Sequence, residues 1–550
     1  MKFASIILLV VLSISLYAQR PTSNPVTKIN KRPKLVVGIV VDQMRYDYIS
    51  KYYAKFSENG FKKLMNQGFN CKNTNYNFAP TYTGPGHASI YSGTSPAFHG
   101  IIGNDWFVRE KNKTTYVTDD SSVQTVGVGS VNGGKMSPRN LLSSTIGDEL
   151  RLYSNFKSKV ISVSLKDRGA ILPGGHLSNG SYWFDSGSGN FITSTYYMKE
   201  LPKWVVDFNE LHLAEKYLSQ PWNTLLPIAQ YTESEADDNP YEGLYSGETK
   251  PIFPHNLPAM HSKNDFGIIR SSPSGNSIIK DIALAALKGE GLGKGDFTDL
   301  LAISFSATDY IGHKMGPQSI EIEDTYLRLD RDLGELINYL EKNYGKENII
   351  LFLTADHGAA YVPSELIDNK MNAGYFNTKG FGDSLKSHLL KTYHDTNLVS
   401  SVINNQIYLN HKIITDKNIS LKEIEEEIAS YSLTFAGIAN AYPGYLLNGY
   451  SYKNKMALLI QNGYTIKRSG DIALFLEPAW LEELSPTGTT HGSAYSYDTH
   501  VPLLWYGGNI KAGYSCEPVE IIDISPTIAA LLDIMAPNAS TGKPILSITN

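Results

Sequence analysis

KLVVGIVVDQ, residues 34–43, is an unbroken apolar run, rich in β-branched residues, that stops at an acid. A strand with one wet face alternates polar and apolar side chains; an unbroken run reads as a strand buried on both faces, as in a parallel sheet. Four more runs follow the same pattern: KVISVSLKDR (159–168), DLLAISFSATD (299–309), NIILFLTADHG (348–358) and HVPLLWYGG (500–508). Helical spacing lies between them. Tyr326, Leu329, Leu333, Leu336 and Leu340 recur at intervals of three and four, one face of an amphipathic helix. Ser525-Pro526 opens another, with the serine as N-cap and Ile528, Leu531, Leu532 and Ile534 as its apolar face. Strands alternating with helices predict an α/β fold, a largely parallel central sheet flanked by helices.

Four of these strands end on charged residues or histidine: Asp42, then Lys166 and Arg168, then Asp309, then Asp356 with His357. Open α/β sheets bind ligands beyond the carboxyl ends of their strands, so the fold should gather these residues along one edge. The alternation defines a catalytic core in three parts, 34–170, 299–358 and 486–550. Two stretches interrupt it, 171–298 and 359–485, and read as insertions that build a cap over that edge.

Lys2, an apolar run from Ile6 to Leu12, and small residues up to Ala18 read as a signal peptide over residues 1–19, followed by a polar leader with Pro21, Pro25 and Pro33. The run is short for a membrane span, no second span follows, and no cysteine stands at the cut for a lipid anchor. A periplasmic or secreted protein is expected. A net charge of −5 with no dense Lys/Arg block argues against nucleic acid as a specific partner. Cys71 and Cys516, the two cysteines, are too few for a thiolate zinc site, and their separation leaves pairing open. Oligomeric state is not legible.

Any metal must therefore be held by carboxylate and imidazole. Asp309 and His313 are four apart in TDYIGHKMG, a spacing that puts both on one face of a helical turn. Asp356 and His357 adjoin at a strand end, with Gly358 letting the backbone turn close to a ligand. Asp42 closes the first strand, where an unpaired carboxylate would be costly. His491, in TTHGS, is flanked by small residues. Alone, each is as well read as a helix cap or a surface residue. Together, three carboxylates and three histidines can form two mixed sites, a donor set that suits zinc; an all-carboxylate set would suit magnesium or calcium. In APTYTGPGHASIYSG (79–93), Thr83 opens a helix-like stretch, where the dipole and free N–H groups favour an anion. It is the candidate nucleophile, with Thr81 as rival.

The order Asp42, PTYTGPGH, GNDWF, SLKDR, TDYIGH, ADHG and TTHG resembles the alkaline phosphatase superfamily, in particular its phosphate-irrepressible branch with a threonine nucleophile. The resemblance runs over roughly residues 34–545. It implies two zinc ions per chain, one on Asp309, His313 and His491, the other on Asp42, Asp356 and His357. It implies that Thr83 attacks phosphorus, and that Asn104, Lys166 and Arg168 bind the phosphoryl oxygens. The implied activity is hydrolysis of small phosphate monoesters through a phosphothreonine, releasing inorganic phosphate. The sulfatase branch of the superfamily needs Cys or Ser in a C/S-x-P-x-R context, and here the pattern is Thr83-Gly-Pro85-Gly-His87. The alternatives are a nucleotide pyrophosphatase/phosphodiesterase of the same superfamily and an inert phosphate-ester-binding protein. The Lys166/Arg168 pair argues for monoesters, whose extra negative oxygen it can meet, since side chains two apart on an extended segment share a side.

Overall fold

The computed structural model describes residues 32–482 and 485–549. The expected signal peptide, residues 1–19, lies outside them. Ten strands form one sheet: β1 (Leu35–Val41), β2 (Phe69–Cys71), β3 (Thr125–Val126), β4 (Val160–Ser164), β5 (Gly180–Asp185), β6 (Asn190–Ser194), β7 (Asp299–Phe305), β8 (Ile349–Thr354), β13 (Leu503–Gly507) and β14 (Gly513–Ser515), with β9–β12 lying in a second sheet described below. Their spatial order is β14-β2-β13-β8-β1-β7-β4-β5-β6-β3. The five central strands, β8 to β5, run parallel, and all seven residues of β1 are buried, as the unbroken run requires. Register aligns the strand ends: Val40 sits beside Thr354, Val41 beside Phe305, and Ser304 beside Ser164.

β13 runs antiparallel to β8. The chain reaches it from the segment holding His491, which lies at the carboxyl edge of the parallel strands. A strand entered from that edge has to point the other way. The sheet is thus parallel at its centre and mixed at its margins.

The stretch 171–298 differs from the expected insertion at its start. β5 and β6 are full members of the sheet, and Tyr182, Trp183, Phe184 and Phe191 on them are buried. These strands end on no charged cluster, the feature that made the other core strands legible. The stretch 359–485 carries its own antiparallel sheet, β9 (Val399–Ile403), β10 (Gln406–Leu409), β11 (Ile438–Pro443) and β12 (Ile472–Leu476), in the order β9-β10-β12-β11. Leu385, Leu389, Ile407, Ile424, Ile428 and Ile472 form a core there.

Six helices matter for the site and its support: α1 (Thr83–Ser92), α2 (Asp167–Gly174), α3 (Ser274–Gly289), α4 (Ala307–Met315), α5 (Ile320–Tyr344) and α6 (Ile524–Leu532). All five apolar positions that define the stripe of α5 are fully buried, and the Ser319 hydroxyl caps it by accepting from Ile322 N. α6 begins at Ile524, because a 3-10 turn over Ile521–Asp523 leads straight into it. Ser525 is therefore inside the helix, and its hydroxyl donates to the Tyr91 carbonyl instead of capping. Cys71 and Cys516 are both free; the register sets Ser515, not Cys516, beside Cys71.

The centre of the sheet tolerates no added bulk at Gly38, where a Cβ would collide with the Tyr91 hydroxyl and the Phe352 ring. Gly38→Ala should cost about 1–3 kcal/mol through overpacking, read as a lower denaturant midpoint, and Phe352→Leu in the same chain should recover part of it. An unchanged midpoint in the single variant would contradict this packing.

Candidate active site

Asp42 follows β1, Asp356 and His357 follow β8, and Asp309 and His313 lie one turn apart on α4 directly after β7. β8, β1 and β7 are neighbours, so the three carboxylates converge on one edge. Asp42, Asp309, Asp356 and His357 are buried. His491 arrives from the far end of the chain and stacks on His357, ring centroids 3.4 Å apart.

Each histidine is held through the same ring atom. His313 Nδ1 lies 2.8 Å from the Thr489 carbonyl, His357 Nδ1 2.9 Å from the Gly358 carbonyl, and His491 Nδ1 2.7 Å from the Thr81 carbonyl. A carbonyl only accepts, so Nδ1 carries the proton and Nε2 presents its lone pair, the form a metal ligand needs. The Nε2 atoms of His313 and His491 lie 3.1 and 3.7 Å from Asp309 Oδ1, and that of His357 lies 3.5 Å from Asp42 Oδ1 and 3.6 Å from Asp356 Oδ2. Among the described residues, two trios have donor atoms all within 4.8 Å of one another: Asp309, His313, His491 and Asp42, Asp309, His357. The first is the set expected from sequence. The second has Asp309 where Asp356 was expected.

Burial pushes the Asp42 carboxyl well up, and Asp309 and Asp356 push it further. Burial acts the same way on Asp309, but the charge of His313, when that ring is protonated with no metal on it, and of Lys166 outweighs burial and holds Asp309 low. Burial, with the neighbouring His357 and His313, keeps His491 well below its ordinary value, hence neutral. The Lys166 ammonium is buried between Asp42 Oδ2, at 2.7 Å, and Asp309 Oδ2. One ammonium cannot balance three carboxylates. Asp42 Oδ1 and His357 Nε2 are buried without a hydrogen-bond partner, and Asp356 Oδ2 has His87 Nδ1 alone, at 3.3 Å. Such atoms are rare in folded proteins and call for a cation. The donors, mixed imidazole and carboxylate, fit a divalent ion.

Thr83 is the first residue of α1 and is buried. Its rival is engaged: the Thr81 hydroxyl donates to the Ser493 carbonyl at 2.9 Å. The expected anion cradle of backbone N–H groups is mostly used up, because Gly84 N donates to Asn104 Oδ1 at 2.8 Å, Pro85 has no N–H, and Gly86 N donates to the Tyr82 carbonyl. Binding of oxyanions falls to side chains. With its carbonyl on Gly84, Asn104 has its amino group left to donate. Arg168 Nη1 donates to the Tyr116 hydroxyl at 2.9 Å, while its Nε is buried without an acceptor.

Lys166 and Arg168 do not alternate on a strand. β4 stops at Ser164, Lys166 caps α2, and Arg168 is in the first helical turn. The turn is this tight because Gly169 has no Cβ; one would strike the hydroxyls of Ser164 and Ser304.

One supporting residue, Gln43, escaped the sequence reading, and a second, His87, was legible only as packing or as support for a ligand. Gln43 donates from Nε2 to Asp309 at 3.0 Å and from its backbone N to Asp356 at 3.1 Å. Gly312 makes room for it, since a Cβ there would collide with the Gln43 amide. His87 Nδ1 lies 2.9 Å from the Thr83 carbonyl and 3.3 Å from Asp356 Oδ2, with Nε2 3.0 Å from Ser304 Oγ. The only signal for either was adjacency to a named residue.

A family model described as type I phosphodiesterase/nucleotide pyrophosphatase matches residues 36–498. The chain is 46% identical to alkaline phosphatase PhoV of Synechococcus elongatus, over 94% of this chain and 93% of that one. It is 43% identical to alkaline phosphatase PafA of Elizabethkingia meningoseptica, over 94% of each. A crystal structure of wild-type PafA superposes with a TM-score of 0.92, covering 94% of this chain and 99% of that one. A protein of Myroides odoratus named as a calcium-transporting ATPase is 46% identical over 94% of each chain.

If the cluster holds divalent ions, a chelator should lower the thermal midpoint, since an ion at a hundredfold excess over its Kd stabilises by about 3 kcal/mol. In the double variant Asp42→Asn/Asp309→Asn that chelator shift should vanish. A wild-type midpoint indifferent to chelator would rule out a stabilising ion.

Proposed function

The chain belongs to the type I phosphodiesterase/nucleotide pyrophosphatase family of the alkaline phosphatase superfamily, and on that premise we propose that it is an exported two-zinc enzyme that passes the phosphoryl group through Thr83. The coarser identity is plain: it is an alkaline phosphatase, a phosphoric monoester hydrolase. Among the described residues no helix is long and apolar enough to cross a membrane, and ion transport, named for one relative, is not carried over.

The observation that supports the two-zinc reading is the cluster of buried ligand atoms on the edge that α1 packs against, in which Asp42 Oδ1 and His357 Nε2 have no hydrogen-bond partner and Asp356 stands beside them. Gly86, three residues after Thr83, approaches the Asp356 backbone so closely that a Cβ would strike it. Asp309, His313 and His491 would hold one zinc, and Asp42, Asp356 and His357 the other. When bound, the pair would supply Lewis-acid charge to the attacking and leaving oxygens of an in-line displacement.

The chain's own residues do the rest. The Thr83 hydroxyl loses its proton and its oxygen bonds to phosphorus as the ester P–O bond breaks. The alcohol leaves with a proton from solvent. Water then attacks the phosphothreonine, releasing inorganic phosphate and restoring the hydroxyl. Asn104, Lys166 and Arg168 meet the non-bridging oxygens. Arg168 Nε, buried and unfilled, has a donor to give, and the Lys166 ammonium adds a point charge. A monoester dianion offers one more negative oxygen than a diester, so this pair favours monoesters. Export rests on residues 1–19 and would place the substrates outside the cytoplasm, in the periplasm or medium.

Thr83→Ala should lose the covalent phosphoryl-enzyme, seen by mass spectrometry after acid quench, while retaining bound zinc by elemental analysis; near-normal turnover would shift the role to Thr81 or to direct attack by water. Lys166→Ala/Arg168→Ala should lower kcat/KM for an aryl monoester by about 10²–10⁴, two charge-assisted bonds at roughly 1.5–3 kcal/mol each. The methyl diester should lose much less. Equal losses, or a wild-type preference for the diester, would move the enzyme to the phosphodiesterase branch.

A further inference from the structure

A cavity of about 160 Å³ lies against the site, between the loop that leads into Thr83 and the four-stranded second sheet. Tyr82 and His491 form its wall on the catalytic side, and Ala473, Phe475 and Trp480 form much of the other. Tyr82 immediately precedes the nucleophile, and His491 is a proposed zinc ligand, so the cavity lies beside the reaction centre. Its size decides what it can take: an apolar cavity of roughly 150 Å³ holds one benzene-sized ring. Its walls are mostly apolar and aromatic, which favours a flat ring over a sugar. Polar side chains interrupt the apolar lining, among them Asn404, Asn405, Gln406, Glu482, Thr490 and Ser493. Asn405 lines the cavity, and its side-chain oxygen is shut off from solvent without a hydrogen-bond partner. An acceptor in that state is costly, and a turn of the Asn405 amide toward the cavity would offer it to a donor there.

We propose that this cavity is the leaving-group subsite, selecting monoesters whose alcohol carries a single aromatic ring with an N–H or O–H donor for Asn405. The inference rests on the phosphomonoesterase reading and names the substrate class within it. The phosphoryl group stays on Thr83 and its oxyanion partners. The alcohol portion extends past Tyr82 and His491 into the second sheet. The subsite thus depends on residues of the stretch 359–485, which supplies none of the other site residues.

Benzyl and ethyl phosphate test this, because their alcohols are similar leaving groups and differ by the ring. For the wild-type zinc enzyme, kcat/KM should favour benzyl over ethyl by about tenfold to a hundredfold, the worth of burying one ring. 3-Aminobenzyl phosphate should be favoured over benzyl by a further factor of about ten. Ala473→Leu, which narrows the cavity, should bring the benzyl-to-ethyl ratio near one. Asn405→Gly should erase the amino advantage alone; Asn405 has a positive φ of 56°, which glycine adopts without strain. A second readout needs no turnover: the ring protons of 3-aminobenzyl alcohol should broaden on adding the wild-type protein and less so with either variant. Thermal melts report whether each variant folds, and if Ala473→Leu does not, Asn405→Gly carries the test. A wild-type benzyl-to-ethyl ratio near one, or an amino advantage that survives Asn405→Gly, would overturn the subsite. Absence of turnover on all three esters would instead overturn the phosphatase reading, and the alcohol spectra would still judge the cavity.

Discussion

Three carboxylates buried at the ends of three neighbouring strands are the constraint on which the rest of this structure depends. Asp42, Asp309 and Asp356 lie where water cannot screen them, and each raises the cost of ionising the others. The molecule meets part of that cost with a buried ammonium, Lys166, and aims the lone pairs of three imidazoles at the same place, their protons fixed on the far side of the ring. Both arrangements need precise backbone placement. Lys166 reaches the carboxylates only because β4 stops early and α2 starts at once, and the imidazoles point inward only because carbonyls of Thr81, Gly358 and Thr489 lie behind them. Much of the local structure follows from concentrating negative charge in a dry place and leaving it partly uncompensated.

The glycines of the site serve the same end. Gly86 brings α1 against Asp356, Gly169 turns α2 over the strand ends, and Gly312 leaves space for Gln43. These are positions where two backbones, or a backbone and an amide, approach more closely than a methyl group permits. The bonds from Gln43 link Asp309 to Asp356, so the carboxylates are fixed relative to each other as well as to the sheet.

The parts of this arrangement that show in the sequence are those with a local signature. A strand buried on both faces must be apolar throughout, so an acid at its end stands out; that is how Asp42, Asp309 and Asp356 were legible, and with them the parallel centre of the sheet. The family order of motifs supplied Asn104 and the Lys166/Arg168 pair. Other features had no such signature. β5 and β6 carry aromatic residues, and the acid that closes β5, Asp185, has no histidine or second charge beside it, so they read as insertion. The turn at Lys166 depends on Gly169 meeting serines of two strands, a contact across more than a hundred residues of sequence. His87 and Gln43 act through partners hundreds of residues away. Whether Asp309 or Asp356 completes the second trio is a matter of side-chain placement, which spacing does not encode.

The clasp at Thr81 has a further consequence. Its carbonyl holds His491 and its hydroxyl holds Ser493, so the loop that presents the nucleophile and the loop that presents the last histidine are tied directly to each other. Neither tie uses a residue of the stretch 359–485. Reaction and selectivity are separable parts here: a lineage could retune which alcohols are admitted by rewriting the outer sheet, while the hydrolytic machinery passes unchanged from one version to the next.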